Sequence, residues 1–364
     1  MKTPYSLFFS ILIILSSCNG QNASHHARST LSTVSTGETV SEMDKSIMII
    51  FQDRNDNFWF GSNRQGVYKY DGKVFTHFTV EDGLCNNQIW GIQEDKLGNI
   101  YFDTRECISK FDGQTFNTLT LIDENSSTIE WKLEADDLWF KGRLNENGPY
   151  RYDGKSLYHL EFPKHELEDE FYSRFPNVSY SPYGIYTIYK DGKGNIWFGT
   201  STLGVCRYDG KSLSWISEDE LTELDDGPAP GVRSIIEDED GNYWFSNSLY
   251  RYSVYHDGAI GQEKGIINYE KLKGINHFRG YHEGDFTSYM SITDDGNGNL
   301  WMATYDAGVW RYDGEKITHY PVYDGNTNIT LFSIYKDNRG GLWLGTHHAG
   351  AYKFNGKTFE KFKL

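Results

Sequence analysis

The sequence contains few proline and cysteine residues and fewer basic than acidic residues. Only 8 of its 364 residues are proline and only 4 are cysteine. Basic residues are also in the minority, since 35 Lys and Arg stand against 51 Asp and Glu, which gives a formal net charge of −16. Phosphate binding requires a basic surface, so this acidic balance argues against a nucleic-acid partner.

Long hydrophobic segments are also missing, apart from one near the N-terminus. The stretch from Leu7 to Leu15 is nearly all apolar, but a helix needs about 20 such residues to span a bilayer. Behind the basic start Met1-Lys2, this short stretch is typical of a secretion signal, which we place at residues 1–17. No other segment is apolar enough to cross a membrane.

The end of that signal resembles the cleavage box of bacterial lipoproteins, in which the cut precedes a cysteine that becomes lipidated. The residues are Leu15-Ser16-Ser17-Cys18, and an ordinary signal peptide followed by an incidental cysteine is the alternative. Two or more acyl chains on Cys18 make anchoring stable, and polar residues 18–45 are predicted to form a flexible tether. We therefore expect a lipid-anchored protein of a Gram-negative cell envelope, in the periplasm or at the outer membrane.

The other cysteines are Cys85, Cys107 and Cys206. An odd count leaves at least one thiol free or buried. A disulfide between Cys85 and Cys107 stays open, whereas Cys206 has the position of a small buried apolar residue. No CxxC or Cys/His spacing indicates a metal, and acidic turns such as 238–242 lack the later bidentate carboxylate of a calcium loop. We expect no metal and no cofactor.

Aromatic residues and glycine are abundant, with 26 Tyr, 22 Phe, 10 Trp and 37 Gly. Many of them recur in a unit that reads approximately I-x-x-D-x-x-G-N-x-W-F-G-T-x-x-x-G-V-x-R-Y-D-G-K-x-F. Its anchor aromatic occurs seven times, at Trp59, Tyr101, Trp139, Trp197, Trp244, Trp301 and Trp343. In six copies an aspartate stands six residues before the anchor: Asp53, Asp95, Asp191, Asp238, Asp295 and Asp337. The third copy has Leu133 there.

Each unit divides into four strand-sized pieces, which in the last copy are 329–336, 342–345, 351–354 and 357–362. The Asp-x-x-Gly-Asn link and the later Asp-Gly pair are turn signals. The strands are apolar on both faces, so each four-stranded antiparallel sheet must be covered on both sides. Radial stacking of the sheets achieves this. Residues 46–364 are therefore predicted to form one all-β, seven-bladed β-propeller.

The clearest copies resemble the two-component regulator propeller repeat, found in the periplasmic sensor regions of hybrid histidine kinases. The resemblance depends on 194–200, 204–205 and 208–211, and 340–346 repeats the first of these motifs. It covers about 46–364 and implies a sensor propeller. Those kinases continue into a transmembrane helix and catalytic domains, whereas this chain stops after the seventh unit, so we expect no autophosphorylation within it.

The two ends of the predicted ring differ. In a four-stranded meander, links 1–2 and 3–4 lie at one end, and links 2–3 and 4–next lie at the other. The regular turns fall on the first end, and the long insertions, assigned to 162–182, 216–230 and 261–287, are expected in 4–next links. Binding residues favour loops on a rigid scaffold. We therefore place the site on this second, decorated face, around the central channel.

The irregular links contain seven candidate ligand-binding residues: Arg64, Arg105, Arg143, Tyr305, Asp306, His347 and His348. The arginines could clamp an anion or be solvated charges. Tyr305 and the aromatics between Tyr269 and Tyr289 could stack on a sugar or peptide ring, or pack onto the propeller. The two histidines could bind a metal or act as a base, or be polar loop residues.

No catalytic motif of the Gly-x-Ser-x-Gly, HExxH or phosphate-loop type occurs. We expect an extracytoplasmic propeller that binds a glycan, peptide, small molecule or envelope protein without catalysis. The alternative is an enzyme, because similar short repeats build the seven-bladed streptogramin lyase. That resemblance implies a His and metal site, for which His347, His348 and Asp306 are the candidates. A structural subunit of an envelope complex is a third hypothesis.

Overall fold

The computed structural model describes residues 34–122, 130–221, 231–246, 248–255, 265–275 and 289–364, and Val34–Leu364 forms one compact unit. The predicted signal peptide at 1–17, the lipidated Cys18 and most of the tether lie outside the described residues. Within them, no helix has the length and apolar character needed to cross a membrane.

The strands form antiparallel meanders that follow one another along the chain, as the repeat predicts. Blade 1 contains β2 (Ile47–Gln52), β3 (Phe58–Ser62), β4 (Val67–Tyr70) and β5 (Phe75–Phe78), with an added strand β1 (Glu38–Val40). Blade 2 contains β6 (Ile89–Glu94), β7 (Ile100–Thr104), β8 (Ile108–Phe111) and β9 (Phe116–Thr118). Blade 3 contains β10 (Leu138–Phe140), β11 (Tyr150–Tyr152) and β12 (Leu157–His159).

Blade 4 contains β13 (Ile185–Lys190), β14 (Ile196–Thr200), β15 (Val205–Tyr208) and β16 (Leu213–Ile216), and blade 5 contains β17 (Ile235–Glu237), β18 (Tyr243–Phe245), β19 (Arg251–Val254) and β20 (Tyr269–Leu272). Blade 6 contains β21 (Tyr289–Asp294), β22 (Leu300–Thr304), β23 (Val309–Tyr312) and β24 (Ile317–Tyr320). A hairpin of β25 (Tyr323–Asp324) and β26 (Thr327–Asn328) precedes blade 7, which contains β27 (Leu331–Lys336), β28 (Leu342–Thr346), β29 (Ala351–Phe354) and β30 (Phe359–Lys361). Short helices occur only in links among the described residues: a 3-10 turn at Val80–Asp82, α1 (Glu168–Arg174) and α2 (Glu218–Leu221).

The aspartate of each repeat fastens its turn to the anchor aromatic. In blade 4 the Trp197 indole N–H donates to Asp191 Oδ2 at 2.8 Å, and the backbone N–H groups of Lys193 and Asn195 donate to Oδ1. The Tyr243 hydroxyl of blade 5 donates to Oδ2 as well, at 2.8 Å. The anchor-to-aspartate bond recurs in all six copies that have the aspartate, at 2.8–3.1 Å.

The anchors also form the core, which lies between neighbouring blades. Trp59 of blade 1 is only 1% exposed, and its ring centroid lies 5.5 Å from that of Phe102 and 5.7 Å from that of Phe111, both of blade 2. Equivalent clusters join the other blades, such as Trp197 with Tyr243 and Phe245 of blade 5. Since each blade covers the apolar face of the next, both faces of every sheet are buried, as the all-β propeller predicts.

The ring closes by contact between two complete blades, which the sequence left open. Blade 7 is wholly C-terminal and blade 1 wholly N-terminal, and Ile47 pairs with Thr346 at their inner edges. The Ser333 hydroxyl donates to the Met48 carbonyl at 2.5 Å. The ring centroids of Trp343 and Phe58 lie 4.7 Å apart. Closure therefore depends on side-chain packing and a few hydrogen bonds rather than on a strand shared between the termini.

Part of the predicted tether is a strand. Residues Glu38–Val40 form β1, which pairs antiparallel with β5 along the outer edge of blade 1. The Ser35 backbone N–H also donates to the Gln114 carbonyl of blade 2 at 2.7 Å. The prediction of a flexible tether up to residue 45 is therefore wrong for this part, because an exposed edge strand offers unpaired backbone groups that even a polar segment can satisfy.

Blade 3 departs from the four-stranded prediction, since its described residues form three strands. The segment that would precede β10 as an inner strand instead places Trp131 between blades 3 and 4, with its ring 5.0 Å from Tyr208 and 6.1 Å from Trp139. This is the copy with Leu133 in place of the aspartate. The Trp139 indole N–H is accordingly buried without a hydrogen-bond partner among the described residues.

The insertion predicted at 261–287 is divided between two links, so its assignment to the 4–next link is wrong for the part before Tyr269 and right for the part after Leu272. Tyr269 pairs with Val254, so 269–272 is the fourth strand of the blade, and the inserted residues between 255 and 268 belong to link 3–4. The predicted Asp257-Gly258 turn and most aromatics between Tyr269 and Tyr289 lie outside the described residues. The two end residues are scaffold, since Tyr269 packs on Tyr252 and the buried Tyr289 hydroxyl donates to the Phe245 carbonyl.

Of the three cysteines that follow Cys18, two are paired in a disulfide and one is free. Cys85 and Cys107 form a disulfide that joins the segment before β6 to the link between β7 and β8, so this possibility is confirmed. Cys206 is a free, buried thiol in β15, as predicted. The disulfide lies at the decorated end of blade 2, where it ties two loops together.

Replacing the turn aspartate should cost much more stability than replacing an aspartate of an outer hairpin. Asp191 is 5% exposed, and its loss leaves the indole N–H of Trp197 and the hydroxyl of Tyr243 unpaired. We expect Asp191→Ala to lower the free energy of unfolding by about 2–4 kcal/mol, measured by urea titration. Asp71→Ala, in an exposed turn that is otherwise chemically similar, is the control and should be nearly neutral.

The hydrogen bonds that Asp191 accepts should also make the stability of the protein depend on pH in the acid range. Burial raises the pKa of Asp191, but hydrogen bonds from Trp197, Asn195 and Tyr243 outweigh it, so the folded-state pKa lies below 3.8. The stabilisation is therefore present above about pH 4 and is lost as the pH falls through the folded pKa. The difference between wild type and Asp191→Ala should shrink on acidification, and a difference that grows would contradict the assignment.

Candidate functional site

Five inner strands contain a bulge at the same residue of the repeat. The pairing register shifts across Met48, Trp90, Tyr186, Met290 and Phe332, each the second residue of its inner strand. Each of these residues stands eleven positions before the anchor of its blade. A bulged residue is left out of the ladder and the strand bends there, so the side chain is directed away from the regular stacking of the blade.

These bulged residues line a central cavity of about 540 Å³. In blade 5 the same position, eleven residues before Trp244, is Arg233, and blade 3 contributes Lys141 and Leu144. All seven blades therefore contribute to the lining, which comprises Met48, Ile49, Asn63, Gln88, Trp90, Lys141, Leu144, Ile185, Tyr186, Thr187, Arg233, Met290, Ser291, Phe332, Ser333 and His347. Asn63, Leu144 and His347 belong to 2–3 links, so the cavity lies at the decorated end of the ring.

The charged residues of the described cavity lining are basic, whereas the chain as a whole is acidic. Its described lining includes no Asp or Glu, although the chain has a net charge of −16. It does include Lys141, whose Nζ donates to the Trp90 carbonyl at 2.6 Å, and Arg233, whose guanidinium lies 4.1 Å from the centroid of the Tyr186 ring. The bulge at Trp90 frees the carbonyl that Lys141 uses.

A buried carboxylate stands behind Lys141. Asp103 is 2% exposed, its Oδ2 accepts the Lys141 backbone N–H at 2.8 Å, and its Oδ1 has no partner among the described residues. Burial raises the pKa of Asp103 to about 6, against the opposing charge of Lys141. Burial likewise lowers the pKa of Lys141, and Asp103 opposes that shift.

Beside blade 3, whose described residues form three strands, a side pocket of about 520 Å³ lies between blades 2 and 4. This side pocket shares Lys141, Tyr186 and Thr187 with the central cavity. The Gln93 side-chain amide donates to the Trp139 carbonyl at 2.7 Å, and Asp103 accepts from Lys141. Side chains of blade 2 therefore pair with backbone groups of β10 and of the link after it, on the side where the other blades have an inner strand.

Of the seven predicted binding residues, His347 alone lines the described part of the central cavity. Its ring centroid lies 5.3 Å from Phe332, 5.8 Å from Tyr305 and 5.7 Å from His348. Burial lowers the pKa of His347, with a smaller contribution from His348, which favours a neutral ring at pH 7. Tyr305 is 49% exposed, and Asp306 and His348 are exposed beside it.

The three predicted arginines are not brought together. Arg64, Arg105 and Arg143 are all exposed, and none lines the central cavity. Arg143 instead lines a separate pocket of about 330 Å³ beside the disulfide, where it forms an ion pair with Glu146 at 3.6 Å. These side chains could still contact a large ligand on the face, but they do not form one anion clamp.

The metal alternative has its three candidates on one side of the ring. His347, His348 and Asp306 come from neighbouring blades 6 and 7 and surround Tyr305. Within the described ranges, no group of three or more His, Cys, Asp or Glu has an arrangement suited to a metal ion. The chemistry at His347 therefore stays a prediction.

Sequence reasoning missed Trp90, Tyr186, Arg233 and Lys141. For the first three a signal was available, since the residue eleven positions before the anchor changes from copy to copy while the residue before it stays hydrophobic in the six blades other than blade 3. Lys141 stands at the start of the irregular 2–3 link of blade 3, but its place in the cavity depends on the contact with the Trp90 carbonyl of blade 2, which the sequence does not show.

Two segments of the chain, residues 179–202 and 324–348, match the family model described as the two component regulator propeller. They include the inner and second strands of blades 4 and 7. These two segments are therefore similar to the two-component regulator propeller repeat. This confirms the resemblance on which the sequence analysis depended, at the level of the repeat.

Solved structures extend the likeness to the whole fold. The extracellular domain of a Bacteroides thetaiotaomicron protein described as a hybrid two component system is 21% identical, with a TM-score of 0.55 over 88% of this chain and 39% of that chain. A virginiamycin B lyase of Staphylococcus aureus, crystallised with quinupristin, is 14% identical, with a TM-score of 0.59 over 87% of this chain and 97% of that one. At these identities the likeness shows the propeller fold alone, and the chain spans only 39% of the length of the first structure. Among curated proteins, none matches this chain significantly.

The buried carboxylate behind Lys141 should make stability depend on pH near 6. The folded-state pKa of Asp103 is about 6, above its ordinary 3.8, so its favourable contribution is complete below about pH 4 and is lost as the pH rises through 6. We expect Asp103→Asn to be more stable than wild type at pH 7, by up to about 2–3 kcal/mol, and to lose that advantage at pH 4.

Chemical denaturation at several pH values measures this difference. Asp306→Asn, an exposed carboxylate on the same face, is the matched control and should follow the wild-type curve. If Asp103→Asn is less stable than wild type by the same amount at pH 7 and at pH 4, ionisation of the Asp103 carboxylate costs no stability. The raised pKa of Asp103 would then be wrong.

Proposed function

We propose that this protein is an extracytoplasmic binding propeller of the sensor type, held at the membrane by lipid on Cys18. The observation that supports it is the central cavity, to which all seven blades contribute at the decorated end of the ring. In this proposal the blades supply a rigid frame and the cavity receives the ligand. A glycan, a peptide or another small molecule is the ligand class, and an envelope protein is the alternative partner.

The size and lining of the cavity support binding of a small molecule. Its volume of about 540 Å³ falls within the range of about 300–1,000 Å³ that is typical of ligand pockets. Trp90, Tyr186 and Phe332 are partly exposed aromatics, which offer rigid contact area at little cost in conformational entropy. Asn63, Gln88 and Ser291 add hydrogen-bonding groups between them.

The repeat family supports an extracytoplasmic sensor. Repeats of this kind are named for two-component regulators, and one solved structure of similar fold is an extracellular domain of such a system. A location outside the cytoplasm also agrees with the secretion signal and with the Cys85–Cys107 disulfide, because disulfides persist in oxidising compartments.

Binding should depend on the cavity aromatics. A glycan and peptide array on residues 30–364 identifies a ligand, and titration calorimetry then measures its affinity. We expect Tyr186→Ala to weaken binding at least tenfold, since a buried aromatic contact typically contributes more than about 1.4 kcal/mol. Tyr172→Ala, an aromatic on α1 that is 43% exposed and lies away from the cavity, is the control and should bind like wild type.

The same preparation tests the enzyme alternative, which His347 in the cavity lining favours. If the protein turns over a glycan or lactone substrate and His347→Ala abolishes this, the proposal of binding without catalysis is wrong. Equal binding by Tyr186→Ala and Tyr172→Ala would show that the site lies elsewhere on the face.

Lipidation of Cys18 has its own test. We expect the wild-type protein to sediment with membranes and to incorporate labelled palmitate when expressed in a Gram-negative host. Cys18→Ser should remove the label and release the processed protein into the soluble fraction, because a single unlipidated tether has no stable hold on a bilayer. An ordinary signal peptide predicts that both proteins are soluble and unlabelled.

A further inference from the structure

The residues eleven positions before the anchors divide the central cavity into an apolar part and a cationic part. Five of them are the bulged residues Met48, Trp90, Tyr186, Met290 and Phe332, which are apolar or aromatic. The sixth, Arg233 of blade 5, is a cation. In blade 3, whose described residues form no inner strand, Lys141 lines this part of the cavity. The two cations thus come from blades 3 and 5, on either side of the Tyr186 ring of blade 4.

Neither cation forms an ion pair with an acidic side chain of the described cavity lining. No described Asp or Glu lies within ion-pair distance of Arg233, and Lys141 Nζ donates to the neutral carbonyl of Trp90. Asp103 contacts the backbone of Lys141 and stands behind the wall rather than in the lining. The side pocket is lined by Asp103 itself and by Glu94, Asp95, Asp136 and Asp137, which stand in or beside the links between first and second strands.

The arginine is also held in a defined position. Its guanidinium lies over the Tyr186 ring at 4.1 Å, and its backbone N–H donates to Ser246 Oγ at 2.7 Å. A guanidinium stacked in this way keeps its N–H edges available for a carboxylate or sulfate. Because the ring already orients it, less entropy is lost when an anion binds.

We propose that the central cavity binds a small organic anion in which a carboxylate or sulfate group is carried on a ring. Arg233 and Lys141 bind the anionic group, and Trp90, Phe332 and the outer face of His347 contact the ring. This inference depends on the proposed binding function and names the class of its ligand. It replaces the exposed arginines Arg64, Arg105 and Arg143 as the anion-binding residues.

Two physical arguments favour an anion over a neutral ligand. Burial lowers the pKa of Lys141, and a bound anion would offset that desolvation by restoring an opposite charge near Nζ. Charge interactions are also stronger in a partly enclosed cavity than on the surface. A neutral ligand would leave Arg233 without an opposite charge in the described lining, and Lys141 with only the Asp103 carboxylate behind the cavity wall.

The test uses the full chain and five probes measured by titration calorimetry at millimolar concentration. Benzoate and phenyl sulfate have an aromatic ring with a carboxylate or a sulfate, and glucuronate has a sugar ring with a carboxylate. Benzyl alcohol and acetate lack the charge and the ring, respectively. We expect at least one of the first three to bind at least tenfold more tightly than benzyl alcohol and acetate, and the choice among them identifies the anion and the ring.

Two variants assign the binding to the cavity. Arg233→Gln and Lys141→Gln should each weaken the best probe about tenfold to hundredfold, as expected for the loss of one charged hydrogen-bond donor. Arg233→Lys, which keeps the charge, should lose less than Arg233→Gln, and this comparison stands even if Lys141→Gln is unstable. Arg64→Gln and Arg105→Gln make the same charge change on the same face outside the cavity and should bind like wild type.

The outcomes separate this inference from the proposed function. If benzyl alcohol binds as tightly as benzoate, and Arg233→Gln does not change its affinity, the cavity binds ligands but not anions, and only this inference is wrong. If Arg64→Gln or Arg105→Gln weakens the anion instead, the anion site lies on the outer loops and this inference is wrong. If neither the probes nor the array ligands bind, both are wrong.

Discussion

In six of the seven repeats, a single carboxylate fixes the first turn of the blade to its second strand. It accepts the indole or phenol proton of the anchor aromatic and the backbone N–H groups of the first turn, so the turn and the second strand keep a constant relation. Burial opposes the charge, and the hydrogen bonds outweigh it, as the low pKa of Asp191 shows. Because the turn is fixed, the inner strand that precedes it has its bulge at the same distance from the anchor in five blades.

This constant spacing explains why the site is a ring. The bulge falls eleven residues before the anchor in five blades, so five side chains of different chemistry line the same cavity. The repeat therefore separates its roles by position: the anchor and aspartate are uniform and structural, and the bulged residue is variable and faces the cavity. A propeller can change its ligand at these positions without disturbing the contacts between blades.

Blade 3 is the exception to this arrangement. Blade 3 has no aspartate in front of Trp139, and it is also the blade whose described residues lack an inner strand. Trp131 moves into the space between blades 3 and 4, and the vacated space becomes the side pocket. Lys141 then extends to the free carbonyl at the Trp90 bulge. One missing carboxylate thus coincides with the most polar part of the channel wall.

Prediction from the sequence succeeded where an interaction is local and repeated. The spacing of Trp59 and its six equivalents predicted the blades, and the turn residues predicted most strand ends within a few residues. It was wrong for blade 5, where an Asp-Gly pair resembled the usual hairpin although the fourth strand begins at Tyr269. For the site, His347 was found because it interrupts the repeat, whereas Arg64 and Arg105 interrupt it equally and remain exposed.

The sequence by itself determined the all-β propeller, because aromatic and turn residues at fixed spacing act within one blade and need no knowledge of its neighbours. The tertiary structure alone decided which side chains share the cavity. Lys141, Tyr186 and Arg233 are far apart along the chain and meet only because the blades close into a ring through Ile47 and Thr346. The direction of each side chain depends on a bulge, and a bulge depends on pairing between strands, which no single segment of the sequence contains.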